Sequence, residues 1–258
     1  DHTTLSTIPA EEKGRQQLIV KEEGILAGVD IARKVFEKFD PSLKMTVMIE
    51  DGAHVKPGDI AFVVEGSVRS LLQTERVMLN IMQRMSGIAT TTARYQKELE
   101  GLKTKVLDTR KTTPGMRLLE KEAVKIGGGE NHRIGLFDMI LIKDNHVDFA
   151  GGIDKAVAAA KDYCKAKGKD LKIEVEVRNT DEIKQALAAG VDRIMLDNFT
   201  PERTREAVEL IDGQCEIESS GGITLDTLRQ YGECGVDFIS VGALTHSVKG
   251  LDMSFKAC

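Results

Sequence analysis

The chain has 258 residues, 41% hydrophobic and 30% charged, with 36 Lys and Arg against 41 Asp and Glu for a formal net charge of −5. That length suffices for one large domain, or for a small domain beside a barrel-sized one. A mildly acidic chain with no Trp and 4% aromatics does not suit a general nucleic-acid binder, which needs a basic surface and stacking rings. No stretch approaches the ~20 apolar residues that span a bilayer. The start, Asp1-His2-Thr3-Thr4, has no cationic leader ahead of an apolar segment and no Met. No secretory signal is expected there, and the N-terminus reads as trimmed. Cys164, Cys215, Cys234 and Cys258 form no Cys-x-x-Cys pair, which points away from a zinc site or disulfide frame and toward a reducing cytoplasm.

In chain order, residues 19–39 read as a strand or turn around Gly24 and Gly28, then an amphipathic helix presenting Ile31, Val35 and Phe39. Residues 45–65 alternate in polarity around turns at Asp51-Gly52 and Pro57-Gly58-Asp59, which predicts a small antiparallel sheet. Residues 71–99 carry helical periodicity through Val77, Ile81 and Met85 and through Met78 and Met82, with a break expected near Ser86-Gly87. From residue 104 the texture changes. Strands are predicted at 105–108, 139–143, 172–177, 193–197, 216–219 and 238–241, with a further short one at 124–126. Helices are predicted at 153–166, 180–189, 201–211 and 225–234. The steps from Glu176 to Asp197, Asp197 to Glu218 and Glu218 to Ser240 are 21, 21 and 22 residues. Such regular units suit a (β/α) barrel with six or seven strands rather than eight. No Gly-x-Gly-x-x-Gly opens the first unit, which weakens the alternative of a dinucleotide-binding open sheet.

The functional groups of a parallel barrel stand at the C-terminal ends of its strands. Those ends read Asp108-Thr109-Arg110-Lys111, Lys143-Asp144-Asn145-His146, Glu174-Val175-Glu176, Leu196-Asp197-Asn198, Glu218-Ser219-Ser220-Gly221-Gly222 and Ser240-Val241-Gly242-Ala243. Strand alternation turns Glu174 and Glu176 inward and Ile173, Val175 and Val177 toward the helices. Buried carboxylates need partners, and these are expected from Arg110, Lys111, Arg133 and Lys143. Between Lys103 and Lys143 nine Lys and Arg oppose five acids, a basic island that suggests a local anion site. One half of the mouth is thus cationic and fits a polyanionic substrate. The other half, Glu176 and Asp197, suits Mg²⁺ and developing positive charge. The competing reading is a purely structural ion-pair network. Gly-rich turns at 219–222 and 242–246 offer backbone N–H groups to a phosphate, and Gly127-Gly128-Gly129 ahead of His132-Arg133 suits closure over an anion. His132 alone fits a structural role as well as a ligand's, His146 reads as a structural support, and His2 and His54 read as surface or turn residues.

Together these segments resemble the quinolinate phosphoribosyltransferase family, the carboxylating nicotinate-nucleotide pyrophosphorylases of NAD biosynthesis. The resemblance runs in order over essentially the whole chain. It is carried by 75–80, 86–90, 108–115, 127–133, 141–146, 174–177, 196–199, 218–222 and 241–247. It implies an N-terminal α/β sandwich domain over 1–100, an open (β/α) barrel of six to seven parallel strands over 101–246 that carries the site, and a tail, 247–258, packed back on the first domain. It further implies a cytoplasmic homo-oligomer, a dimer or a hexamer of dimer units. The implied reaction joins quinolinate and phosphoribosyl pyrophosphate, with Mg²⁺, to give nicotinate mononucleotide, pyrophosphate and CO₂. By position, Arg110, His132, Arg133 and Lys143 hold the quinolinate carboxylates, with Arg76 reaching in from the neighbouring subunit because its helix is expected outside the barrel. Lys111 and Lys143 contact phosphoribosyl pyrophosphate, and Glu176 and Asp197 bind Mg²⁺ and the ribose. Ser220, Gly221, Gly222, Gly242, Ala243 and His246 cradle the 5′-phosphate. Lys143, Glu176 and Asp197 are the implied catalytic set. The family carries a further N-terminal helix ahead of the Asp-x-Thr-Thr segment at which this chain begins.

Three alternatives compete. A pyrophosphorylase-like relative associated with molybdenum transport shares the fold and takes another acceptor; Asn131-His132-Arg133 argues against it. A Schiff-base aldolase using Lys143 needs neither the arginines nor the Glu176/Asp197 pair. A non-catalytic anion-binding barrel would hold this charge set without a ligand, at a cost in stability.

Overall fold

The computed structural model describes residues 1–258. The chain begins with α1 (His2–Thr7), β1 (Lys13–Val20), β2 (Gly24–Ile25), α2 (Val29–Phe39), β3 (Lys44–Val47), β4 (His54–Val55), β5 (Ile60–Ser67) and α3 (Val68–Glu98). It continues with β6 (Lys105–Leu107), α4 (Arg117–Ile126), β7 (Ile140–Ile142), α5 (Asp144–Ala150), α6 (Ile153–Lys167), β8 (Ile173–Val177) and α7 (Thr180–Ala189). The last elements are β9 (Arg193–Asp197), α8 (Pro201–Ile211), β10 (Glu216–Ser220), α9 (Leu225–Gly232), β11 (Phe238–Ser240), α10 (Ala243–His246) and β12 (Met253–Ala257). Two compact units result. One comprises Asp1–Ala93, Thr113–Gly128 and Leu244–Cys258; the other comprises Arg94–Thr112 and Gly129–Ala243.

The first unit is built on an antiparallel sheet of order β12-β1-β5-β3. Leu18 on β1 lies in register with Phe62 on β5 and Phe255 on β12. Phe36 of α2 packs on both rings, with centroids 6.2 and 6.0 Å away, and burying each such ring contributes about 1.5–3 kcal/mol. The buried face of α2 is Val29, Ala32 and Phe36, whereas Phe39 is half exposed. The sequence reading of Ile31, Val35 and Phe39 was therefore one residue out of phase. The helix starts after Gly28 at φ 103, and its rotation follows the largest ring.

Two expectations fail in this unit for instructive reasons. The helix expected to break near Ser86-Gly87 runs unbroken through α3 for 31 residues. Ser86 Oγ accepts from the Ala27 N–H at 2.9 Å and donates to the Ala27 carbonyl at 3.0 Å. A Cβ on Gly87 would stand 2.2 Å from the Lys249 carbonyl oxygen. The pair therefore marks a close backbone approach, not a stop signal. The short strand expected at 124–126 is the last turn of α4, with Ala123 and Val124 buried; a three-residue apolar run does not distinguish strand from helix. Gly127 caps that helix, and a Cβ there would meet the Ala89 carbonyl at 2.4 Å. The first glycine of the triple thus serves packing.

The second unit is the open (β/α) barrel: six parallel strands in the order β6-β11-β10-β9-β8-β7. A single parallel bridge from Leu107 to Glu130 adds to the outer edge of β6. The strand predictions hold within a residue or two, and α7 and α8 match their predicted bounds. Their caps explain this accuracy. Asn179 accepts from the Glu182 N–H at the start of α7, and Thr200 caps α8 ahead of Pro201 at its first turn. Helix α5 was not predicted. It begins directly after Lys143, where His146 Nδ1 accepts the Lys143 N–H at 2.9 Å, the supporting role expected of that histidine.

Candidate active site

Alternation along β8, β9 and β10 stacks two levels of charged residues inside the barrel. The deep level comprises Glu174, Arg193, Glu216 and Glu218, joined by the loop residue His132. Arg193 lies in register with Glu174 on one side and Glu216 on the other. Its guanidinium donates to Glu216 Oε2 at 2.9 Å and to Glu218 Oε2 at 3.2 Å and stacks 4.2 Å over the Phe238 ring. His132 Nε2 stands 3.0 Å from Glu174 Oε2 and 3.4 Å from Glu218 Oε2. Glu174 and Glu218 are both fully buried.

The loop that brings His132 inward is itself pinned. Its N–H donates to Asp108 Oδ1 at 2.9 Å, and the next N–H, that of Arg133, donates to His132 Nδ1 at 2.7 Å. Both ring nitrogens are therefore engaged. Burial works to depress His132 and the adjoining Glu174 and Glu218 push it upward, while the Arg133 N–H occupies the Nδ1 lone pair that a second proton would need. Burial, and then the charge of Glu218, raise Glu174 to about 7. Glu218 is pulled the other way: burial opposes its charge, yet its bond to His132 holds it below the usual carboxylate range.

The sequence reading expected Arg110, Lys111, Arg133 and Lys143 to neutralise the inward carboxylates. Lys143 does so for Glu176. Glu174 is met instead by the His132 ring at 3.0 Å and by the charge of Arg193. Arg193 was missed, although its signal was present: it stands at the same parity as Asp197 on one strand, and hence on the same inward face. Arg133 is half-buried, and its guanidinium donates to the Met139 carbonyl at 3.3 Å. Burial, and next the charge of Arg110, lower its pKa, against the opposing charges of Glu174 and Asp138. Asn131, His132, Arg133, Asp138, Met139 and Arg193 are among the residues lining a cleft of about 320 Å³ in this unit.

The mouth level is more open. Lys143 Nζ reaches Glu176 Oε2 at 2.6 Å, with the lysine side chain 44% and the glutamate 10% exposed. Asp197 follows on the next strand, where its Oδ2 accepts from Asn198 Nδ2 at 2.7 Å. Asn198 takes φ 55 and donates its N–H to the Ser220 carbonyl at 2.9 Å. Gly221 fits against it at φ 98, where a Cβ would lie 2.2 Å from Asn198 Oδ1. Only glycine suits that position. Arg110 and Lys111 lie exposed in the turn after β6, where the Lys111 N–H donates to Thr109 Oγ1 at 3.0 Å. Gly222 is exposed, and Gly242 and Ala243 are half-buried at the end of β11. Two expected site residues belong to the first unit: Arg76, exposed on α3, and His246, exposed at the end of α10 with Nδ1 2.6 Å from Ser247 Oγ.

Glu176 and Asp197 present hard oxygen donors on adjacent strand ends. That donor set fits Mg²⁺, which binds through one or two carboxylates and substrate phosphates and keeps several waters. His132, Glu174 and Glu218 also bring three ligand atoms within 4.8 Å of one another. Their charges are already met by one another and by Arg193.

Comparison with known proteins bears directly on this geometry. The family described as quinolinate phosphoribosyl transferase matches in both parts, its N-terminal domain at residues 1–86 and its C-terminal domain at residues 88–256. The chloroplastic carboxylating nicotinate-nucleotide pyrophosphorylase of Arabidopsis thaliana is 46% identical over 99% of this chain and 77% of its own length. The probable carboxylating nicotinate-nucleotide pyrophosphorylase of Bacillus subtilis is 42% identical over 97% of this chain and 86% of its own. The crystal structure of NadC from Streptococcus pyogenes superposes with a TM-score of 0.94 at 43% identity, covering 99% of this chain and 90% of that one.

Proposed function

The chain belongs to the quinolinate phosphoribosyltransferase family, and from that premise we propose how its barrel carries out the reaction: phosphoribosyl transfer to quinolinate with decarboxylation, giving nicotinate mononucleotide, pyrophosphate and CO₂. The observation that carries the reading is the division of the mouth at Lys143 and Glu176, 2.6 Å apart, with cations on one side and carboxylates on the other.

Arg110, Arg133 and Lys143 hold the two quinolinate carboxylates, while His132 supports Arg133 from beneath by accepting its N–H. Arginine forks match carboxylates in two-point geometry, and a substrate carboxylate bound near both relieves the mutual repulsion of Arg110 and Arg133. Lys111 and Lys143 meet phosphoribosyl pyrophosphate. Backbone N–H groups at Ser220, Gly221, Gly222, Gly242 and Ala243 receive its 5′-phosphate. Glu176 and Asp197 would hold Mg²⁺, which when bound offsets charge on the departing pyrophosphate.

The quinolinate nitrogen attacks C1 of the ribose as the bond from C1 to the pyrophosphate oxygen breaks. Positive charge builds on the ribose in the transition state, and the carboxylates of Glu176 and Asp197 favour it. The ring is then cationic. The bond to its 2-carboxylate breaks, CO₂ leaves, the electron pair stays on C2, and a proton from solvent replaces it there. No side-chain nucleophile is needed, so the work is positioning and electrostatics.

Arg76, exposed on α3, serves the site of a neighbouring subunit, which makes a homodimer the smallest active assembly. The compartment we propose is the cytoplasm, in keeping with four free thiols; plant relatives carry chloroplastic or mitochondrial names. No helix is long and apolar enough to cross a membrane. Release of labelled CO₂ from carboxyl-labelled quinolinate tests the reading. It is expected to require phosphoribosyl pyrophosphate and Mg²⁺ together and to match nicotinate mononucleotide mole for mole. A folded sample that releases none would reject it.

A further inference from the structure

The deep level of the barrel contains two buried carboxylates that the mechanism does not use. Glu174 is fully buried, and neither of its oxygens has a hydrogen-bonding partner beyond the ion pair with His132. Glu218 is equally buried and shares its charge between His132 and Arg193. A buried carboxylate left without a counter-charge is costly, so these two groups strongly favour one placement of the imidazole between them.

That placement reaches the mouth by a short path. With Nε2 turned to Glu174 and Glu218, the opposite ring nitrogen, Nδ1, is the acceptor for the Arg133 N–H at 2.7 Å. Asp108 holds the backbone of His132 from the other side at 2.9 Å. A turn of the imidazole would take away the Arg133 acceptor, and a shift of the Arg133 backbone would carry its guanidinium with it. Nothing else in the pair is soft. The ring is buried, and the Arg133 guanidinium ends on the Met139 carbonyl.

We infer that Glu174, seconded by Glu218, is a positioning residue for quinolinate: it seats the His132 ring, and through His132 Nδ1 it sets the backbone and guanidinium of Arg133. In this account His132 serves the acceptor substrate from behind, through Arg133, and its own ring hydrogen bonds remain inside the protein. The inference rests on the site proposed above and adds to it a group that touches no substrate. It also gives the deep level a role toward the pyridine acid alone, through Arg133, whereas the mouth meets both substrates.

The test is a kinetic cycle. Glu174→Gln keeps shape and removes charge. It is expected to raise the KM for quinolinate about tenfold or more, with the KM for phosphoribosyl pyrophosphate within about twofold of the parent. In a His132→Ala background the same change is expected to add less than about twofold, because its route is gone. A merely structural glutamate would move both KM values together, or neither, and would act alike in both backgrounds. Either pattern overturns the proposal.

Glu218→Gln is expected to act in the same direction but more weakly, since its contact is longer. Should Glu174→Gln not fold, ¹⁵N-histidine spectra of the parent protein decide. His132 is expected to hold a slowly exchanging proton on Nε2 with Nδ1 as a hydrogen-bond acceptor; a ring protonated on Nδ1 alone would overturn the seat. Absence of CO₂ release from the parent enzyme would reject the underlying reaction. An active parent with an unchanged quinolinate KM in Glu174→Gln would reject only the positioning role.

Discussion

The two levels of charge inside the barrel both set basic groups against carboxylates and behave differently. In the deep level Arg193, His132, Glu174 and Glu218 are all buried and meet one another's charges within 3.4 Å. In the mouth Lys143 and Glu176 pair at 2.6 Å, yet the lysine is nearly half exposed, and Asp197 leans only on its neighbour Asn198. A buried network is closed off from a ligand by the residues around it, and it holds its members still. An open one is available to bind, and depends on its support for geometry. Charge density alone therefore does not locate chemistry; incompletely met charge at a strand end does.

The strongest way to sharpen that contrast is to remove a mouth cation. Lys143→Ala is expected to lower kcat/KM by about 100–1,000-fold, as for loss of one group that stabilises charge in the transition state, with little change in melting temperature. A mouth variant that unfolded the protein without a kinetic effect on the folded fraction would erase the distinction. Next comes the question of whose mouth it is. Arg76→Ala and Lys143→Ala are each expected to keep about 1% of parental activity or less. Their mixture is expected to recover roughly a quarter of parental activity once subunits exchange, because a mixed dimer has one intact site. No recovery despite measured exchange would place Arg76 elsewhere.

A smaller effect is expected at the glycine turn. Gly221→Ala forces a Cβ toward Asn198 at a left-handed φ, a strain of about 1–3 kcal/mol. The KM for phosphoribosyl pyrophosphate is expected to rise about tenfold, leaving that for quinolinate near the parent value. Least dramatic is the pH response of the deep level. Glu174 is raised from 4.5 to about 7, chiefly by burial, so the folded protein holds its proton more tightly than the unfolded chain. That stabilisation is present in full below about pH 4.5 and is lost as pH climbs through about 7. Melting temperature is expected to fall by about 5 °C between pH 4.5 and 7.5, with a shallower slope in Glu174→Gln. A flat profile in the parent would mean that the deep level does not bind protons as its geometry requires.

Much of this was legible in the chain. The 21- and 22-residue steps between strand ends carried the βα repeat, and caps such as Asn179 and Thr200 set helix bounds. The inward turn of Glu174 and Glu176 followed from alternation alone. What escaped depends on contacts distant in sequence. Ser86-Gly87 looks like a helix stop until the Ala27 and Lys249 backbones are placed against it. The phase of α2 depends on Phe62 and Phe255, which lie 26 and 219 residues beyond Phe36. The counter-charge of Glu174 comes from a loop and from a neighbouring strand, and no local pattern names that pairing. Arg193 alone could have been found, by counting two residues back from Met195 on the face that ends at Asp197.

The most direct test of the whole account is a crystal structure of the assembled protein with quinolinate bound. Both carboxylates are expected among Arg110, Arg133 and Lys143, with Arg76 of a neighbouring subunit closing the site and His132 still seated between Glu174 and Glu218. Quinolinate bound away from those cations, or a His132 ring swung out to meet it, would contradict the division of labour between the two levels.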